Sequence, residues 1–170
     1  MSISSKQWLA LYTRSRWEKK VFKLLTEGGH EAFLPLRREK RQWKDRKKWV
    51  EEPLIRSYIF VNTGKKEYYD ILNTPGAVCY IFFEGKPAPI REEQILFLKS
   101  INENPLSEFE VTSNNFQKGD LLTITSGAFS GFEGELIEYR GRKKVLIRLE
   151  QLGKAILITI PIQYISILNK

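Results

Sequence analysis

The residues with the clearest binding chemistry lie at positions 37–48, which contain eight Lys or Arg and two acidic residues. Trp43 lies within this stretch and Trp49 follows it directly. Cations neutralise nucleic-acid phosphates, and an indole ring offers a surface on which a base can stack. The same composition also suits a hairpin arm that is merely solvated. The candidate nucleic-acid contacts in this basic arm are Arg37, Arg38, Lys40 and Arg41.

Residues that could carry catalysis or bind a metal are few and scattered. The chain has one histidine, His30, and one cysteine, Cys79, and no cluster with the spacing of a metal site. Adjacent Glu51 and Glu52 would point to opposite faces of a strand, a poor arrangement for a general acid and base. Cys79 stands among apolar residues, so we expect a buried, inert thiol. The sequence predicts neither an enzyme nor a need for a metal or cofactor.

Two predicted strands carry aromatic residues at alternate positions. Residues 8–12 read Trp-Leu-Ala-Leu-Tyr, and residues 54–61 have the strongest strand pattern in the chain. Because side chains alternate between the faces of a strand, Tyr58 and Phe60 share one face. If helices cover mainly the other face, Tyr12, Tyr58 and Phe60 remain together as an aromatic patch. Such a patch is a candidate anchor for a partner.

Apolar periodicity predicts the elements that position these residues. Up to residue 101 the order is strand, helix, strand, basic arm, strand, helix, strand, helix, which indicates an antiparallel sheet with helices mainly on one face. Ser15 is the predicted cap of the first helix, which runs to about Thr26. In the helix over residues 91–101, we expect Ile95, Leu96 and Leu98 to face inward.

A glycine-rich hairpin organises the second half. Residues 118–138 predict a turn, a strand, a loop with glycines at 127, 131 and 134, and a second strand. Strands over 145–149 and 155–160, with a turn at 140–142, complete a small SH3-like β-barrel. Phe129 and Phe132 lie in the loop, where an aromatic side chain is a candidate contact for a partner.

The chain divides into a basic half and a neutral half. Residues 1–101 contain 20 Lys or Arg and 12 Asp or Glu, whereas residues 102–170 contain eight of each kind. A polyanionic partner therefore suits the first half and is not required by the second. Residues 102–116 are polar and aperiodic, so we predict domains over 6–101 and 117–170 joined by a linker at 102–116.

No stretch predicts passage into or across a membrane. No apolar run reaches the length of a membrane-spanning helix, and residues 1–6 lack the apolar core of a signal peptide. A single cysteine cannot form an internal disulfide, which fits a reducing compartment. We therefore expect a cytoplasmic protein, and a monomer.

Several short motifs, in their order and spacing, resemble the NusG family of transcription elongation factors. The motifs are residues 8–12, Ser57-Tyr58-Ile59-Phe60-Val61, Thr74-Pro75-Gly76, Pro87-Ala88-Pro89-Ile90, and the KOW-like Gly127-Ala128-Phe129-Ser130-Gly131-Phe132. The resemblance implies an α+β chain: an N-terminal NGN domain, a variant of the ferredoxin-like fold, followed by a KOW barrel. The Ala128-Phe129 pair, the short chain and the basic arm are closest to specialised RfaH-like or UpxY-like antiterminators.

The resemblance also implies roles for particular residues in the first half. In such proteins an aromatic patch binds the clamp of RNA polymerase, and Tyr12, Tyr58 and Phe60 match it. Basic residues near the first helix contact exposed DNA; Arg14 matches such a position, and Arg16 and Lys20 are candidates. Where RfaH-like members carry a His-Thr-Thr segment facing the polymerase gate loop, residues 67–70 here read Glu-Tyr-Tyr-Asp, so that contact would need different chemistry.

The barrel of such relatives recruits a ribosomal protein or the termination factor Rho, and Phe129 matches a contact there. In RfaH-like relatives this segment can also refold into a helical hairpin. Here the β-branched residues of 145–149 and 155–160, and Pro161 after them, favour a barrel.

Two other interpretations of the aromatic patch stay open. The chain could be a free RNA-binding protein that stacks bases on Tyr12, Tyr58 and Phe60. The patch could also be the seam of a homodimer. A base-stacking sheet should be fringed by cations, whereas the positive charge predicted here lies on an arm and a helix, which favours docking on polymerase.

Overall fold

The computed structural model describes residues 5–104 and 107–168. Residues 1–4, 105–106 and 169–170 lie outside the described ranges. The N-terminal segment considered as a signal peptide (residues 1–6) is therefore mostly outside them, and so is part of the predicted linker. The chain forms two compact units, Met1–Ile95 and Leu96–Lys170. Within the described ranges, no helix combines the length and the apolar character needed to traverse a bilayer.

The first unit is built on a four-stranded antiparallel sheet with the strand order β2-β5-β1-β6. Its strands are β1 (Gln7–Thr13), β2 (Glu31–Phe33), β5 (Tyr58–Thr63) and β6 (Ala77–Tyr80). Two hairpins extend from it, β3 (Leu36–Gln42) with β4 (Lys47–Pro53), and β7 (Phe82–Phe83) with β8 (Lys86–Pro87). The helices are α1 (Glu18–Glu27) and α2 (Tyr68–Leu72), and α3 (Glu92–Glu103) begins in this unit.

The core cluster that the sheet forms with α1 and α2 lies on one face of the sheet. Apolar residues of β1 and β5 pack there with residues of α1 and α2, namely Leu9, Leu11, Ile59, Val61, Val21, Leu25 and Ile71. All of them are fully buried. The alternation predicted for the two strands is therefore confirmed, since Tyr12 and Tyr58 point away from this core.

Two helix predictions are corrected. Ser15 is not the cap of α1, because the helix begins at Glu18 and has no side-chain cap. Arg16, with a φ of 65°, forms the turn before the helix. In α3, Ile95 and Leu98 are buried as predicted, but Leu96 is 50% exposed and Phe97 is buried instead. Successive helical residues are turned by about 100°, which places position 96 on the side of the helix opposite the buried positions 94, 95, 97, 98 and 101.

The second unit contains a six-stranded antiparallel sheet with the order β14-β10-β11-β12-β13-β9. Its strands are β9 (Phe109–Ser113), β10 (Asp120–Ile124), β11 (Glu133–Tyr139), β12 (Arg142–Leu149), β13 (Lys154–Ile158) and β14 (Ile165–Ile167). The glycine-rich loop joins β10 to β11, and Arg140 and Gly141, both with positive φ, turn the chain into β12. The predicted α+β class and the β-rich second half are confirmed.

Part of the predicted linker is regular structure. Helix α3 continues to Glu103, and β9 occupies residues 109–113 and pairs with β13. The polar composition misled the interpretation because β9 is an edge strand, on which Glu110 and Thr112 remain partly exposed. The prediction of an irregular linker is therefore wrong for residues 109–113, which form a strand.

Candidate functional site

Three side chains form a row across one end of the first sheet. In the strand register Tyr12 of β1 lies opposite Tyr58 of β5 and opposite Cys79 of β6. Directly opposed residues share a face of the sheet. The tyrosine rings meet edge to face, with centroids 5.5 Å apart and planes at 68°. We call Tyr58, Tyr12 and Cys79 the tyrosine row; it lies on the face opposite the core.

The row is accessible at its middle and at its β6 end. Tyr12 is 38% exposed, and Tyr58 is half-buried. Burial, with smaller contributions from Tyr12 and Cys79, raises the pKa of Tyr58 above its ordinary value. Its hydroxyl, protonated at neutral pH like that of any tyrosine, therefore stays a hydrogen-bond donor to a higher pH than usual. Together the two tyrosines offer an apolar surface with polar tips, which suits a protein interface.

The expectation of a buried Cys79 is wrong, because the thiol is exposed. Its apolar sequence neighbours suggested a core position. However, β6 is an edge strand of the sheet, and its register with Tyr12 turns Cys79 to the face without the core.

The aromatic face is smaller than the sequence suggests. Phe60 has no exposed surface, and its ring lies 6.4 Å from that of Phe33. Trp8 and Ala10, which alternate with the core residues on β1, are also buried. Of the alternating residues on this face of β1 and β5, Tyr12 and Tyr58 are the aromatic residues with substantial exposed surface, and Phe60 is buried beneath the face.

Helix α1 fixes the turn that presents Tyr58. The carboxylate of buried Glu18 accepts a hydrogen bond from the Ser57 amide at 2.7 Å. The Ser57 carbonyl accepts another from the Thr13 amide at 2.9 Å. Ser57 has a φ of 65°, so this turn adopts a backbone conformation that is uncommon for a residue with a side chain. Held from both sides, it sets where β5 begins.

The basic arm is the β3–β4 hairpin, as predicted. Its register pairs Arg38 with Glu51, Lys40 with Trp49 and Gln42 with Lys47, and these residues share one face. The Arg38 guanidinium and the Lys40 ammonium each lie 5.7 Å from the centre of the Trp49 ring. We call this the Trp49 face; all six of these residues are exposed.

The other side of the hairpin is the Arg41 face, made of Arg37, Glu39, Arg41, Lys48, Val50 and Glu52. Its arginines are ion-paired: Arg37 Nε lies 2.9 Å from Glu39 Oε1, and an Arg41 guanidinium nitrogen lies 3.3 Å from Glu52 Oε1. Glu39, Val50 and Glu52 are only partly exposed. The four predicted basic contacts therefore fall on two different faces.

The basic residues near α1 gather around Trp17. The Lys20 ammonium lies 4.2 Å and the Arg14 guanidinium 5.8 Å from the Trp17 ring. Arg16 is exposed on the preceding turn. Lys19 donates a hydrogen bond to the carbonyl oxygen of Glu51, the residue opposite Arg38. The start of α1 and the base of the hairpin are therefore neighbours.

In the second unit, the glycine-rich loop brings its two aromatic side chains onto a third. The Phe97 ring lies 5.7 Å from Phe129 and 5.4 Å from Phe132. Phe129 is 3% exposed, and Phe132 is half-buried. The loop turns at Gly127 and Gly131, which have φ angles of 86° and 90°. Phe132 is the more accessible of the two predicted partner contacts.

Sequence reasoning missed Lys47, Trp17, Glu18 and the exposed Cys79 as residues of these sites. The hairpin register would have been available from the alternation on either side of the turn at residues 43–46, and it places Lys47 beside Trp49. Glu18 carried no comparable signal, because a glutamate in the first turn of a helix is common for electrostatic reasons alone.

Comparison with known proteins gives a consistent result. The family model described as "NusG: Transcription termination factor nusG" matches residues 6–99. The transcription termination/antitermination protein NusG of Streptococcus pyogenes is 26% identical over 157 residues, which cover 84% of this chain and 86% of the relative. That of Rickettsia prowazekii is 25% identical over 165 residues, covering 88% and 84%. A solved structure of Thermotoga maritima NusG shares the fold, with a TM-score of 0.56, 20% identity and coverage of 99% of this chain and 100% of that one.

Proposed function

The chain belongs to the NusG family of transcription termination/antitermination factors, and we propose that it is a specialised member that binds RNA polymerase through its first unit. In this proposal the first unit docks on the polymerase clamp, touches exposed DNA with its basic residues, and suppresses pausing and termination. The second unit recruits a further partner.

The observation that carries the proposal is the tyrosine row. Partly exposed aromatic side chains in a fixed geometry lose little conformational entropy on binding and often dominate an interface. Tyr12 and Tyr58 meet this description, since their rings already contact each other and Glu18 fixes the turn before Tyr58. Phe60, which matches the same patch in relatives, is fully buried here and would act only through the packing beneath the row.

The test is the affinity of the full chain for core RNA polymerase. The double variant Tyr12→Ala/Tyr58→Ala should bind about 30-fold more weakly or worse, since anchor residues contribute about 2 kcal/mol or more on truncation. Tyr164→Ala, which removes a comparably exposed tyrosine from the second unit, is the control and should bind like the wild type. Unchanged affinity in a folded double variant would refute the docking assignment. Phe60 is left intact, because truncating a fully buried Phe costs about 3–5 kcal/mol of stability.

The DNA contact is proposed for both groups of basic residues. Arg14 and Lys20 lie against the Trp17 ring, and Arg16 is exposed on the turn before it. The basic arm contributes Arg37, Arg38, Lys40 and Arg41. The two groups are neighbours, because Lys19 of α1 donates a hydrogen bond to the carbonyl oxygen of Glu51 in the hairpin. Phosphate contacts of this kind fix position without choosing sequence and weaken as salt rises.

The second unit is proposed to recruit a ribosomal protein or Rho at the glycine-rich loop. Phe132 would make the direct contact, and Phe129 would hold the loop in shape from below. On α2, where the gate-loop contact is expected, Tyr69 is the prominent exposed side chain. A gate-loop contact through Tyr69 would use different chemistry from the His-Thr-Thr segment of RfaH-like members. The basic arm, the short chain and the Ala128-Phe129 pair support the specialised role.

Free RNA binding by the aromatic face is the rival function. It requires rings open for stacking, and the burial of Phe60 and Trp8 leaves only the tyrosine row for that purpose. If the Tyr12→Ala/Tyr58→Ala variant lost RNA affinity but kept polymerase affinity, the rival would replace the proposal.

A further inference from the structure

We propose that the basic arm binds single-stranded nucleic acid through its Trp49 face alone, with a base stacked on Trp49 and phosphates held by Arg38, Lys40 and Lys47. The inference rests on the proposed nucleic-acid contact of the arm and narrows it to one face and one form of nucleic acid. It divides the four basic candidates of the arm into two that bind, Arg38 and Lys40, and two that do not, Arg37 and Arg41.

The first argument is the distribution of charge between the two faces. The Trp49 face carries Arg38, Lys40 and Lys47 against one carboxylate, Glu51. The Arg41 face carries three cations against two carboxylates, and those carboxylates lie 2.9 Å and 3.3 Å from the two arginines. A phosphate approaching Arg37 or Arg41 would meet Glu39 or Glu52 as well. The negative charge of either carboxylate would repel a phosphate that came within reach of its partner arginine. The Trp49 face is therefore the better surface for a polyanion.

The second argument is exposure. From Arg38 to Gln42 and from Lys47 to Glu51, every residue on the Trp49 face is exposed. On the Arg41 face Glu39, Val50 and Glu52 are partly buried. A strand of nucleic acid can therefore lie along the whole length of the Trp49 face, whereas the opposite face is partly covered.

The third argument is the indole itself. Trp49 is 46% exposed in the middle of the face, and two cations lie 5.7 Å from its ring. Contact with the ring holds the flexible heads of Arg38 and Lys40 in place, so less freedom is lost when they bind a phosphate. A base stacked on the ring would bring its own phosphates near these heads. Only an unpaired strand can offer a base face in this way, so the ligand is single-stranded.

The test uses the full chain and fluorescence anisotropy with a labelled oligo-dT strand, an oligo-U strand of equal length, and a DNA duplex, each over a range of salt concentrations. The oligo-dT and oligo-U arms distinguish DNA from RNA as the source of the strand. Two double variants, Arg38→Ser/Lys40→Ser and Arg37→Ser/Arg41→Ser, remove the same charge from opposite faces of the same two-stranded element. Circular dichroism and thermal unfolding verify that each variant is folded.

We expect Arg38→Ser/Lys40→Ser to reduce the slope of log affinity against log salt by about 1.4 for a single strand, the value for two lost phosphate contacts. Arg37→Ser/Arg41→Ser should change the slope by less than half as much. Trp49→Leu should weaken single-strand binding about fivefold or more, with Trp49→Phe recovering most of it, whereas Trp43→Leu at the hairpin tip should have little effect. Binding to the duplex should be weaker and insensitive to Trp49→Leu.

Equal slopes and losses for the two double variants would overturn the face assignment while leaving the nucleic-acid contact of the arm intact. Trp49→Leu binding like the wild type, or a duplex binding as tightly as the single strand, would overturn the stacking. A wild-type chain that binds core polymerase but none of the three nucleic acids would overturn both this inference and the proposed nucleic-acid contact.

Discussion

A largely buried ion pair anchors the segment before β10 to the sheet of the second unit. Arg148 Nε lies 2.7 Å from Glu135 Oε1, and both side chains are largely buried. The Arg148 guanidinium also donates to the carbonyl oxygens of Phe116 and Gln117. Glu135 accepts a further hydrogen bond, at 2.9 Å, from the Gly119 amide. Two charged residues on neighbouring strands thereby hold the chain that leads into β10.

Because of this ion pair, the stability of the second unit should decrease at acidic pH. The Arg148 guanidinium, followed by the Gly119 amide, holds the pKa of Glu135 below its ordinary value of 4.5. A lowered folded-state pKa means that the stabilisation is fully present above pH 4.5 and is lost as pH falls through the lower folded-state value.

We predict that Glu135→Gln unfolds at lower urea concentration than the wild type at neutral pH, with a loss of about 1–2 kcal/mol, and that the difference shrinks at about pH 3. Glu138→Gln, an exposed carboxylate on the same strand, is the control and should lie within about 0.5 kcal/mol of the wild type. A loss of stability for Glu135→Gln that stayed constant with pH would show that packing rather than charge carries the effect.

At the scale of single residues, alternation along strands was the reliable signal. It separated Leu9 and Leu11 from Tyr12 and joined Tyr58 to Phe60 on one face. It could not tell that Phe60 is buried and Tyr12 exposed on that same face, because burial there depends on what packs against the sheet from elsewhere in the chain. The prediction that Cys79 is buried was wrong for a related reason: the position of a residue in the sheet, and not the character of its sequence neighbours, decides its exposure.

At the scale of elements, the three loop glycines do different work. Gly127 and Gly131 adopt positive φ angles, as a tight loop requires. Gly134 lies in β11 and is needed for close approach: a Cβ there would come 2.7 Å from Val145 Cγ1 and 3.0 Å from the Leu146 carbonyl oxygen. The sequence pattern identified the hairpin correctly but assigned all three glycines one role.

We predict that Gly134→Ala destabilises the second unit by about 1–3 kcal/mol, because the added methyl group must displace the neighbouring strand β12. Gly64→Ala is the matched control, since its Cβ would have no neighbour closer than 3.7 Å, and its effect should be under about 1 kcal/mol. Chemical denaturation followed by circular dichroism measures both. Similar stabilities for the two variants would mean that β12 yields without cost.

The prediction of strands rather than a helical hairpin over residues 145–160 is confirmed in this structure, where β12 and β13 pair along their length. Composition sufficed here because propensity and pairing agree: β-branched residues suit a sheet, and Pro161 follows the last strand directly. The prediction failed at β9 because residues 102–116 are mostly polar when their composition is taken together. Within them Phe109, Val111 and Thr112 have high strand propensity, and this short strand pairs with β13.

At the scale of the whole molecule, the positive charge is concentrated in the first half of the chain. Like-charged basic arms repel one another, and the exposed part of the aromatic face is limited to the tyrosine row. A stable homodimer usually buries about 800 Å² or more from each partner, more than one such row offers. The tyrosine row by itself is thus too small to be the seam of a stable homodimer.

We predict that light scattering gives a mass near 19.9 kDa for the purified chain, independent of concentration. The Tyr12→Ala/Tyr58→Ala variant should have the same mass, because the tyrosine row is not an interface between copies. A dimer that this variant dissociates would instead identify the aromatic face as a homodimer seam.

The exposed thiol of Cys79, beside Tyr12, can be labelled to report on binding at the tyrosine row. Cys79 is the only cysteine, so a maleimide reagent labels one position without any engineering. Its alkylation rate measures access to the tyrosine row directly, in the free chain or in a complex. A partner that covers the row slows alkylation, and one that docks elsewhere does not. A cross-linker attached at the same sulfur would mark, on the partner, the surface that lies against this face.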